Sequence, residues 1–299
     1  MRALCRDAAR CYHPPLCHPT HAVSTFPRAL LLDMDGVLYH GSRVLPHALD
    51  FMRSVAGLPR VFVTNNPIAT PREVAERLAG MGFERPDPAQ ILTSGVATAR
   101  YLARQKPGFR FYAVGAPGLA AELARLGAAD ERGADFVVVG EGAGLDYDTL
   151  SRGVDLILNH GAVLISTNPD PSVDGHVDGR RRILPGGGAL VAPFEVATGQ
   201  KALTVGKPHP LLYEMAMQAV GLGPGECVMV GDRVDTDIAG AHALGMRSAL
   251  VRSGRFAPGE PWPTGLPQAT WDVPDLQQLL RAWQREWPDC FDAGGALQG

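Results

Sequence analysis

The residues of this chain most suited to chemistry are Asp33 and Asp35, two carboxylates separated by one residue. They follow the apolar residues 30–32 and precede Gly36. A carboxylate can accept a phosphoryl group as a nucleophile, and a second acid beside it can protonate the leaving oxygen and then activate water. Gly36 allows a tight turn that presents a backbone amide to phosphoryl oxygens. The alternative structural interpretation is a turn with solvated acids.

A second cluster of acids follows the apolar residues 228–230, at Asp232, Asp235 and Asp237. Crowded carboxylates repel one another and an unpaired buried carboxylate is unstable, so the two clusters predict a cation between them. Oxygen ligands favour Mg²⁺ as this cofactor. We expect Asp232 to be a metal ligand and Asp235 to cap the following helix. Asp237 would either bind the metal through water or orient Lys207.

Uncharged donors and one lysine complete the set of candidate residues. The apolar residues 61–63 are followed by Thr64, Asn65 and Asn66. Their hydroxyl and amide groups suit phosphate oxygens in a transition state, although such a sequence is also a good turn. Lys207, between a glycine and a proline, offers a fixed positive charge near the anionic site, although a lone lysine is usually solvated.

These residues stand at the ends of short apolar runs that alternate with amphipathic stretches. The runs lie at about 29–33, 60–64, 110–114, 135–139, 162–166, 202–206, 227–231 and 248–251. The amphipathic stretches lie at 71–81, 116–126, 147–158, 209–220 and 237–244. Continuous apolar runs are typical of strands covered on both faces, so the alternation predicts a doubly wound, Rossmann-like α/β fold with a parallel sheet. Ligands bind such sheets beyond the carboxyl ends of the strands.

The candidate residues are confined to two parts of the chain, 30–66 and 206–237. This distribution predicts one catalytic domain built from both parts, with a second α/β module inserted between them. The predicted division is a disordered leader at 1–24, a catalytic core at 25–103 plus 201–280, an inserted α/β cap domain at 104–200 and a loose tail at 284–299. The leader contains three cysteines separated by five residues each, which does not match the tight cysteine pairs of zinc sites.

Composition limits the partners of the chain. Of its 299 residues, 45% are hydrophobic and 20% are charged, as in ordinary globular proteins. The formal net charge of −3 provides no basic field for a nucleic-acid polymer. No apolar run approaches the roughly 20 residues that span a bilayer. We therefore expect a cytoplasmic protein that binds neither nucleic acid nor membrane.

Together the motifs resemble the haloacid dehalogenase (HAD) superfamily. The resemblance is to its NagD-like, para-nitrophenylphosphatase-type (class IIA) branch, which includes phosphoglycolate and pyridoxal-phosphate phosphatases. It covers about residues 28–255, with the most specific motifs at 33–39 and 231–238 and further matches at 64–66, 166–170, 187–190 and 206–208.

The resemblance implies a role for each candidate residue. Asp33 would be the nucleophile and Asp35 the general acid and base. Mg²⁺ would be held by Asp33, the backbone carbonyl of Asp35, and Asp232. Phosphate would be bound by Thr64, Asn65 and Lys207, with Asn66 nearby. The family's ion pumps have Thr where this chain has Asp35, so we expect a short-lived phosphoenzyme.

The resemblance also implies that the insert is a mobile cap that closes over the site, as in relatives whose caps often form homodimers. The chain departs from the family at Val173, where vitamin-phosphate-selective relatives have a substrate-contacting histidine. His176 either substitutes for it or is a surface residue, and the arginines at 180–182 either meet a second anionic group or form a solvated turn. The glycine-rich residues 137–145 are similar to a dinucleotide-binding loop, but position 145 is leucine where the fingerprint needs glycine, so we interpret them as a cap loop.

The sequence therefore predicts a Mg²⁺-dependent hydrolase that cleaves phosphate monoesters of small metabolites through an aspartyl-phosphate. The alternative is a non-hydrolytic phosphoacceptor switch, because signalling receiver domains also use clustered acids and a lysine. Asp35, placed to hydrolyse its own intermediate, favours the hydrolase. Phosphoglycolate, glycerol phosphate, nucleoside monophosphates, sugar phosphates and pyridoxal phosphate all remain open as substrates.

Overall fold

Every apolar run identified in the sequence contains a strand of the folded chain. The computed structural model describes residues 25–177 and 180–298, so the predicted leader at 1–24 lies outside the described residues. The strands are β1 Ala29–Leu32, β2 Tyr39–His40, β3 Arg43–Val44, β4 Arg60–Thr64, β5 Ile91–Thr93, β6 Arg110–Val114, β7 Ala128–Ala129, β8 Phe136–Val139, β9 Val163–Ser166, β10 Ser172–Val177, β11 Arg180–Pro185, β12 Leu203–Thr204, β13 Cys227–Gly231, β14 Arg247–Val251 and β15 Trp271–Val273.

Helices connect most of these strands. They are α1 Ala48–Ser54, α2 Pro71–Gly80, α3 Ser94–Gln105, α4 Pro117–Ala124, α5 Tyr147–His160, α6 Gly187–Thr198, α7 Pro210–Val220, α8 Ala239–Ala243 and α9 Leu276–Glu286, with short 3₁₀ turns at Pro88–Gln90, Pro224–Glu226 and Pro288–Cys290 and a π-helical turn at Val234–Ile238. Local sequence explains where α2 begins, because Thr70 and Glu73 form a reciprocal capping box and Pro71 fits the first turn. None of the helices in the described parts of the chain combines the length and apolarity needed to cross a membrane.

The main sheet has six parallel strands in the order β15-β14-β13-β1-β4-β5. Every residue of β1 and of β13 is buried, as expected for strands covered by helices on both faces. From β1 the chain continues to β4 and β5 on one side, whereas β13 occupies the other side. This reversal is the point at which open α/β sheets form a ligand crevice. The structure confirms the predicted doubly wound α/β fold.

A second sheet has five parallel strands in the order β12-β9-β8-β6-β7. An antiparallel hairpin, β10–β11, follows β9 and precedes α6. We call this sheet, with α4, α5, α6 and the β10–β11 hairpin, the second-sheet module. Of the arginines at 180–182, Arg182 is exposed, and the side chains of the other two and of His176 are not described.

One apolar cluster extends across both sheets. It includes Val63 of β4 as well as Phe111 of β6 and Val138 of β8. The predicted boundary at 103–104 lies inside α3, and β12 pairs with β9 beyond the predicted end of the insert at residue 200. The exact division of the chain into a core and a cap domain therefore stays a prediction.

The predicted loose tail at 284–299 is anchored to the core at several points within residues 284–298, so that prediction was wrong. Helix α9 continues to Glu286, and Phe291 is buried in the same apolar cluster as Phe51 and Trp283. The backbone N–H of Leu297 donates to the carbonyl oxygen of Ser54 at 2.8 Å. The tail is ordered because its apolar side chains cover the contact between α1 and α9.

Candidate active site

Three neighbouring strands of the main sheet deliver the candidate residues to one place. Asp33 comes directly after β1, Thr64 ends β4, and Asp232 comes directly after β13. Because β13, β1 and β4 are adjacent and parallel, their carboxyl ends meet at the same edge of the sheet. All three residues line a cavity of about 720 Å³ at this edge. The candidate residues on these three strands are therefore brought together as predicted.

Lys207 points into this site from the segment after β12. Its Nζ atom lies 3.2 Å from Oδ1 of Asp33 and 2.6 Å from Oδ1 of Asp237, and only 2% of its surface is exposed. Burial disfavours the charged amine, but the two carboxylates outweigh this effect and raise the pKa of Lys207. The lysine is therefore a fixed cation, and the alternative of a solvated lysine was wrong.

Asp33, Asp232 and Asp237 form a buried cluster whose carboxylate oxygens lie within 4.8 Å of one another. Burial raises the pKa of Asp33 well above its ordinary value, with Lys207 opposing the shift. Burial, followed by the charge of Asp237, raises the pKa of Asp232 to about 7. One lysine cannot balance three carboxylates, so the cluster lacks positive charge. A buried cluster of oxygen ligands with too little positive charge of its own fits a hard divalent cation such as Mg²⁺.

Two glycines pack against the carboxylate of Asp232. Gly36 has φ +79°, and a Cβ atom there would lie 2.2 Å from Oδ2 of Asp232. A Cβ atom on Gly254 would lie 2.0 Å from the same oxygen, which also accepts a hydrogen bond from the backbone N–H of Arg255 at 2.6 Å. Sequence reasoning missed the loop after β14, at residues 253–255, because a Ser-Gly-Arg sequence carries no distinctive chemical signal.

Asp35 also lines the cavity and, unlike Asp33, is exposed. The Tyr39 hydroxyl is 3.4 Å from its Oδ2 atom, and the guanidinium of Arg77 lies 4.8 Å from the centre of the Tyr39 ring. Desolvation raises the pKa of Asp35, and Arg77 opposes that shift. The side chain of Asp35 is not a member of the three-carboxylate cluster.

Asn65 holds Lys207 in place through its side chain. Its Oδ1 atom accepts from the backbone N–H of Lys207 at 2.7 Å, and its Nδ2 atom donates to the Lys207 carbonyl and to Oδ2 of Asp170, both at 3.0 Å. Both amide hydrogens of this side chain are therefore committed to protein partners. We expected this residue to grip phosphate, but its side chain acts instead on the residue that carries the cation.

Thr64 and Asn66 face the cavity but also stabilise the turn after β4. The Thr64 hydroxyl oxygen accepts from the backbone N–H of Asn66 at 3.1 Å, and Oδ1 of Asn66 accepts from the N–H of Ile68 at 2.8 Å. The Thr64 hydroxyl hydrogen remains available to donate into the cavity, since the turn uses only the oxygen as an acceptor. The two alternatives for this motif, turn and phosphate site, are therefore compatible.

The predicted capping role of Asp235 was wrong. Residues Val234–Ile238 form a π-helical turn with Arg233 at its N-cap, and the carboxylate of Asp235 pairs with the guanidinium of Arg233 at 2.6 Å. The backbone N–H of Arg233 instead donates to Oδ2 of Asp237 at 3.1 Å. Asp237 thus connects this turn to Lys207, in agreement with the second of its two predicted roles.

The second-sheet module forms the opposite wall of the cavity. Residues 172–175 of the β10–β11 hairpin line it, as do Glu141 and Asp170. Glu141 comes from the glycine-rich loop at 137–145 and is 1% exposed. Burial raises its pKa to about 8; its Oε1 atom accepts from Asn168 at 2.7 Å, and its Oε2 atom has no partner among the described residues.

Comparison with known proteins identifies relatives of this architecture. The family model described as haloacid dehalogenase-like hydrolase matches residues 30–129, and a second model, described as HAD-hydrolase-like, matches residues 204–278. The acid sugar phosphatase of Staphylococcus aureus is 36% identical over 231 residues, which cover 76% of this chain and 87% of that protein.

Solved structures agree with the sequence comparison. NagD of E. coli K-12 superposes with a TM-score of 0.74 at 32% identity, covering 84% of this chain and 98% of NagD. The glycerol phosphate phosphatase of Mycobacterium tuberculosis, solved in complex with magnesium, has a TM-score of 0.75 at 30% identity, covering 86% of this chain and 77% of that one. The similarity includes both sheets, because it covers most of each chain.

Proposed function

This chain is a phosphatase of the haloacid dehalogenase-like hydrolase family, and from that premise we propose that it hydrolyses small phosphate monoesters through an aspartyl-phosphate on Asp33. The observation that carries the proposal is the position of Asp33. Its carboxylate meets the buried cation of Lys207 at 3.2 Å and two further carboxylates within 4.8 Å, at the edge of a cavity large enough for a small metabolite.

In the first step, an oxygen of Asp33 attacks phosphorus while the bond from phosphorus to the leaving oxygen breaks. Lys207 favours the ionised, nucleophilic form of Asp33 and attracts the phosphoryl oxygens. Asp35 donates its proton to the departing oxygen. Desolvation raises the pKa of Asp35, and a shift in this direction supports the role because it favours the acid form of the carboxyl group.

In the second step, Asp35 takes a proton from water as the water oxygen attacks the phosphorus of the intermediate. The bond between phosphorus and Asp33 breaks, which releases inorganic phosphate and restores the carboxylate. The same residue thus gives and takes one proton in each cycle, so no other acid is required. The Thr64 hydroxyl is placed to donate to a phosphoryl oxygen from the neighbouring strand.

Asp33 and Asp232 are the residues that we propose as side-chain ligands of Mg²⁺, with the backbone carbonyl of Asp35 as a third ligand. The carboxylate cluster supports this proposal through its oxygen donors and its excess of negative charge. When bound, the metal would neutralise phosphoryl charge and so favour attack by an anionic nucleophile. Asp237 would orient Lys207 rather than contact the metal directly.

The substrate that we propose is a phosphorylated metabolite with a polyhydroxylated leaving group. Two relatives support it, because their names refer to sugar phosphates and to glycerol phosphate. The lining of the cavity also offers polar groups to such a leaving group, among them His40 and Ser42. The choice among members of this class rests on the β10–β11 hairpin, which lines the same cavity.

Phosphate release from purified protein tests the function. We would supply para-nitrophenyl phosphate and a panel of sugar phosphates, glycerol phosphate, phosphoglycolate, nucleoside monophosphates and pyridoxal phosphate, each with Mg²⁺ and with EDTA. Wild type and Asp235→Asn should release phosphate, because the Asp235 side chain is outside the carboxylate cluster, whereas Asp33→Asn should not. The proposal fails if no substrate is hydrolysed, or if Asp33→Asn keeps near-normal turnover.

A further inference from the structure

One short segment of the second-sheet module, residues 166–170, makes hydrogen bonds to the core on the phosphate-binding side of the site. Asn168 donates from Nδ2 to the backbone carbonyl of Asn65 at 2.8 Å, and Asp170 accepts from Nδ2 of Asn65 at 3.0 Å. The sequence marks this segment by its resemblance to the family, but neither residue has a role in the proposed reaction steps. Both therefore require a separate explanation.

Asp170 is one member of a closed ring of hydrogen bonds around Lys207. On one side, its Oδ2 atom holds Asn65, which in turn binds the backbone N–H and carbonyl of Lys207 at 2.7 and 3.0 Å. On the other side, its Oδ1 atom accepts from Nη1 of Arg233 at 2.8 Å. The Arg233 backbone N–H donates to Asp237, which pairs with Nζ of Lys207 at 2.6 Å. The ring thus fixes both the backbone and the amine of the lysine.

Asp170, like Lys207, comes from a segment that follows a strand of the second-sheet module, whereas Asn65, Arg233 and Asp237 follow strands of the main sheet. Asp170 is 3% exposed, and both of its oxygens are occupied by core partners. The packing around the lysine is also tight, because a Cβ atom on Gly206 would lie 2.6 Å from the Thr167 carbonyl oxygen and 2.7 Å from Oδ1 of Asn65. The position of Lys207 therefore depends on contact between the module and the core.

We propose that Asp170 is a positioning residue for phosphoryl transfer, which makes the lysine competent only when the second-sheet module is seated on the core. The inference rests on the proposed function, since it assigns Lys207 to the phosphoryl group. Without the carboxylate, Asn65 loses a partner and the guanidinium of Arg233 loses one of the two carboxylates that it pairs with among the described residues, so the lysine is no longer held from both sides. A cation displaced by about 1 Å from its site can lower the rate by about 100-fold.

The test compares Asp170→Ala and Asp170→Asn with wild type in three measurements: kcat, KM and the inhibition constant of inorganic phosphate. We expect Asp170→Ala to lower kcat about 10- to 100-fold and to raise both KM and the phosphate inhibition constant severalfold, because the lysine acts on bound phosphate and on the transition state. Asp170→Asn should lose less, since its amide oxygen can still accept one hydrogen bond. The loss should be similar for para-nitrophenyl phosphate and for sugar phosphates.

Asp135→Asn is the matched control. Asp135 is also an acid of the second-sheet module with two partners, Nζ of Lys106 at 2.7 Å and the N–H of Arg110 at 2.8 Å, but it is remote from the ring. The Asp135→Asn substitution should lower thermal stability without changing KM or the inhibition constant of phosphate. The inference is overturned if Asp170→Ala lowers kcat alone, as a merely reduced active fraction would, or if its effect depends on the leaving group. In either case wild-type turnover would still support the proposed function, whereas an inactive wild type would refute that function itself.

Discussion

The amine of Lys207 lies 3.2 Å from a carboxylate oxygen of Asp33. The two residues come from different sheets, because Asp33 follows β1 of the main sheet and Lys207 follows β12 of the second sheet. The residue that we propose as the nucleophile is thereby paired with a buried cation before it meets an anionic phosphoryl group. The charge of Lys207 also opposes the desolvation that raises the pKa of Asp33.

Substitution of Asp35 should separate the two chemical steps. Because para-nitrophenol is a good leaving group, Asp35→Asn should still form the aspartyl-phosphate, but water attack without the base should slow by about 100-fold or more. Rapid mixing should therefore show a burst of one para-nitrophenol per active site, followed by slow turnover. A steady-state rate without a burst would argue against a role for Asp35 in the second step.

Mg²⁺ should stabilise the folded protein in the absence of substrate. A ligand that binds only the native state adds about 2.7 kcal/mol to the free energy of unfolding at 100 times its Kd. Thermal unfolding of wild type should thus shift upward with Mg²⁺ and return after EDTA. Asp232→Asn should show no such shift, and an equal shift in this variant would place the ion elsewhere.

Gly36→Ala should damage the site more than the fold. The new Cβ atom would lie 2.2 Å from Oδ2 of Asp232 and would displace that carboxylate. Gly221→Ala is the control, because Gly221 also has a positive φ, +69°, but nothing lies within 4 Å of its Cβ position. Both variants should lose about 1–2 kcal/mol of stability from backbone strain. Only Gly36→Ala should also lose phosphatase activity and Mg²⁺-dependent stabilisation; equal activity in the two variants would contradict this.

Glu141 should make the stability of the protein depend on pH. Burial raises its pKa from 4.5 to about 8 in the fold, so its neutral form is favoured there. The contribution of Glu141 to the free energy of unfolding is fully present below the pKa that this residue has in the unfolded chain. It is lost as the pH rises through the pKa in the folded protein, by at most ~1.4 kcal/mol per pH unit. Glu141→Gln keeps a neutral group of similar shape. The free energy of unfolding of the variant, measured with denaturant from pH 5 to pH 9, should therefore increase relative to that of wild type as pH rises. A difference that is the same at every pH would show that Glu141 does not titrate in this range.

The main features of the fold could be predicted because they depend on local pattern. Each strand end that carries a candidate residue follows a continuous apolar run, and this signal was sufficient for β1, β4 and β13. Helix α6 was missed because it contains Gly187, Gly188 and Pro193, which have low helix propensity. Packing in the folded protein overrides that propensity. Helix α9 was missed although Asp275 gives it a normal N-cap.

The charged residues of the site could be predicted from the sequence. The contacts between distant segments that hold these residues in place could not. Asp33, Lys207 and Asp232 are recognisable because they occur together, each directly after or close to the end of an apolar run. The bond from Asn65 to Asp170 spans 105 residues, and no local pattern indicates it. The names of two relatives as phosphatases favour hydrolysis over the non-hydrolytic switch that the sequence left open.

The order of strands in the main sheet has a consequence for synthesis of the protein. Strand β1 is made early, but one of its two neighbours, β13, is encoded nearly 200 residues later, at Cys227–Gly231. A nascent chain on the ribosome therefore carries β1 with one hydrogen-bonding edge open until the second-sheet module has been completed. Truncated products that end before β13 should expose this apolar edge, aggregate and require chaperones, and they would contain Asp33, the proposed nucleophile, without Asp232, the proposed metal ligand.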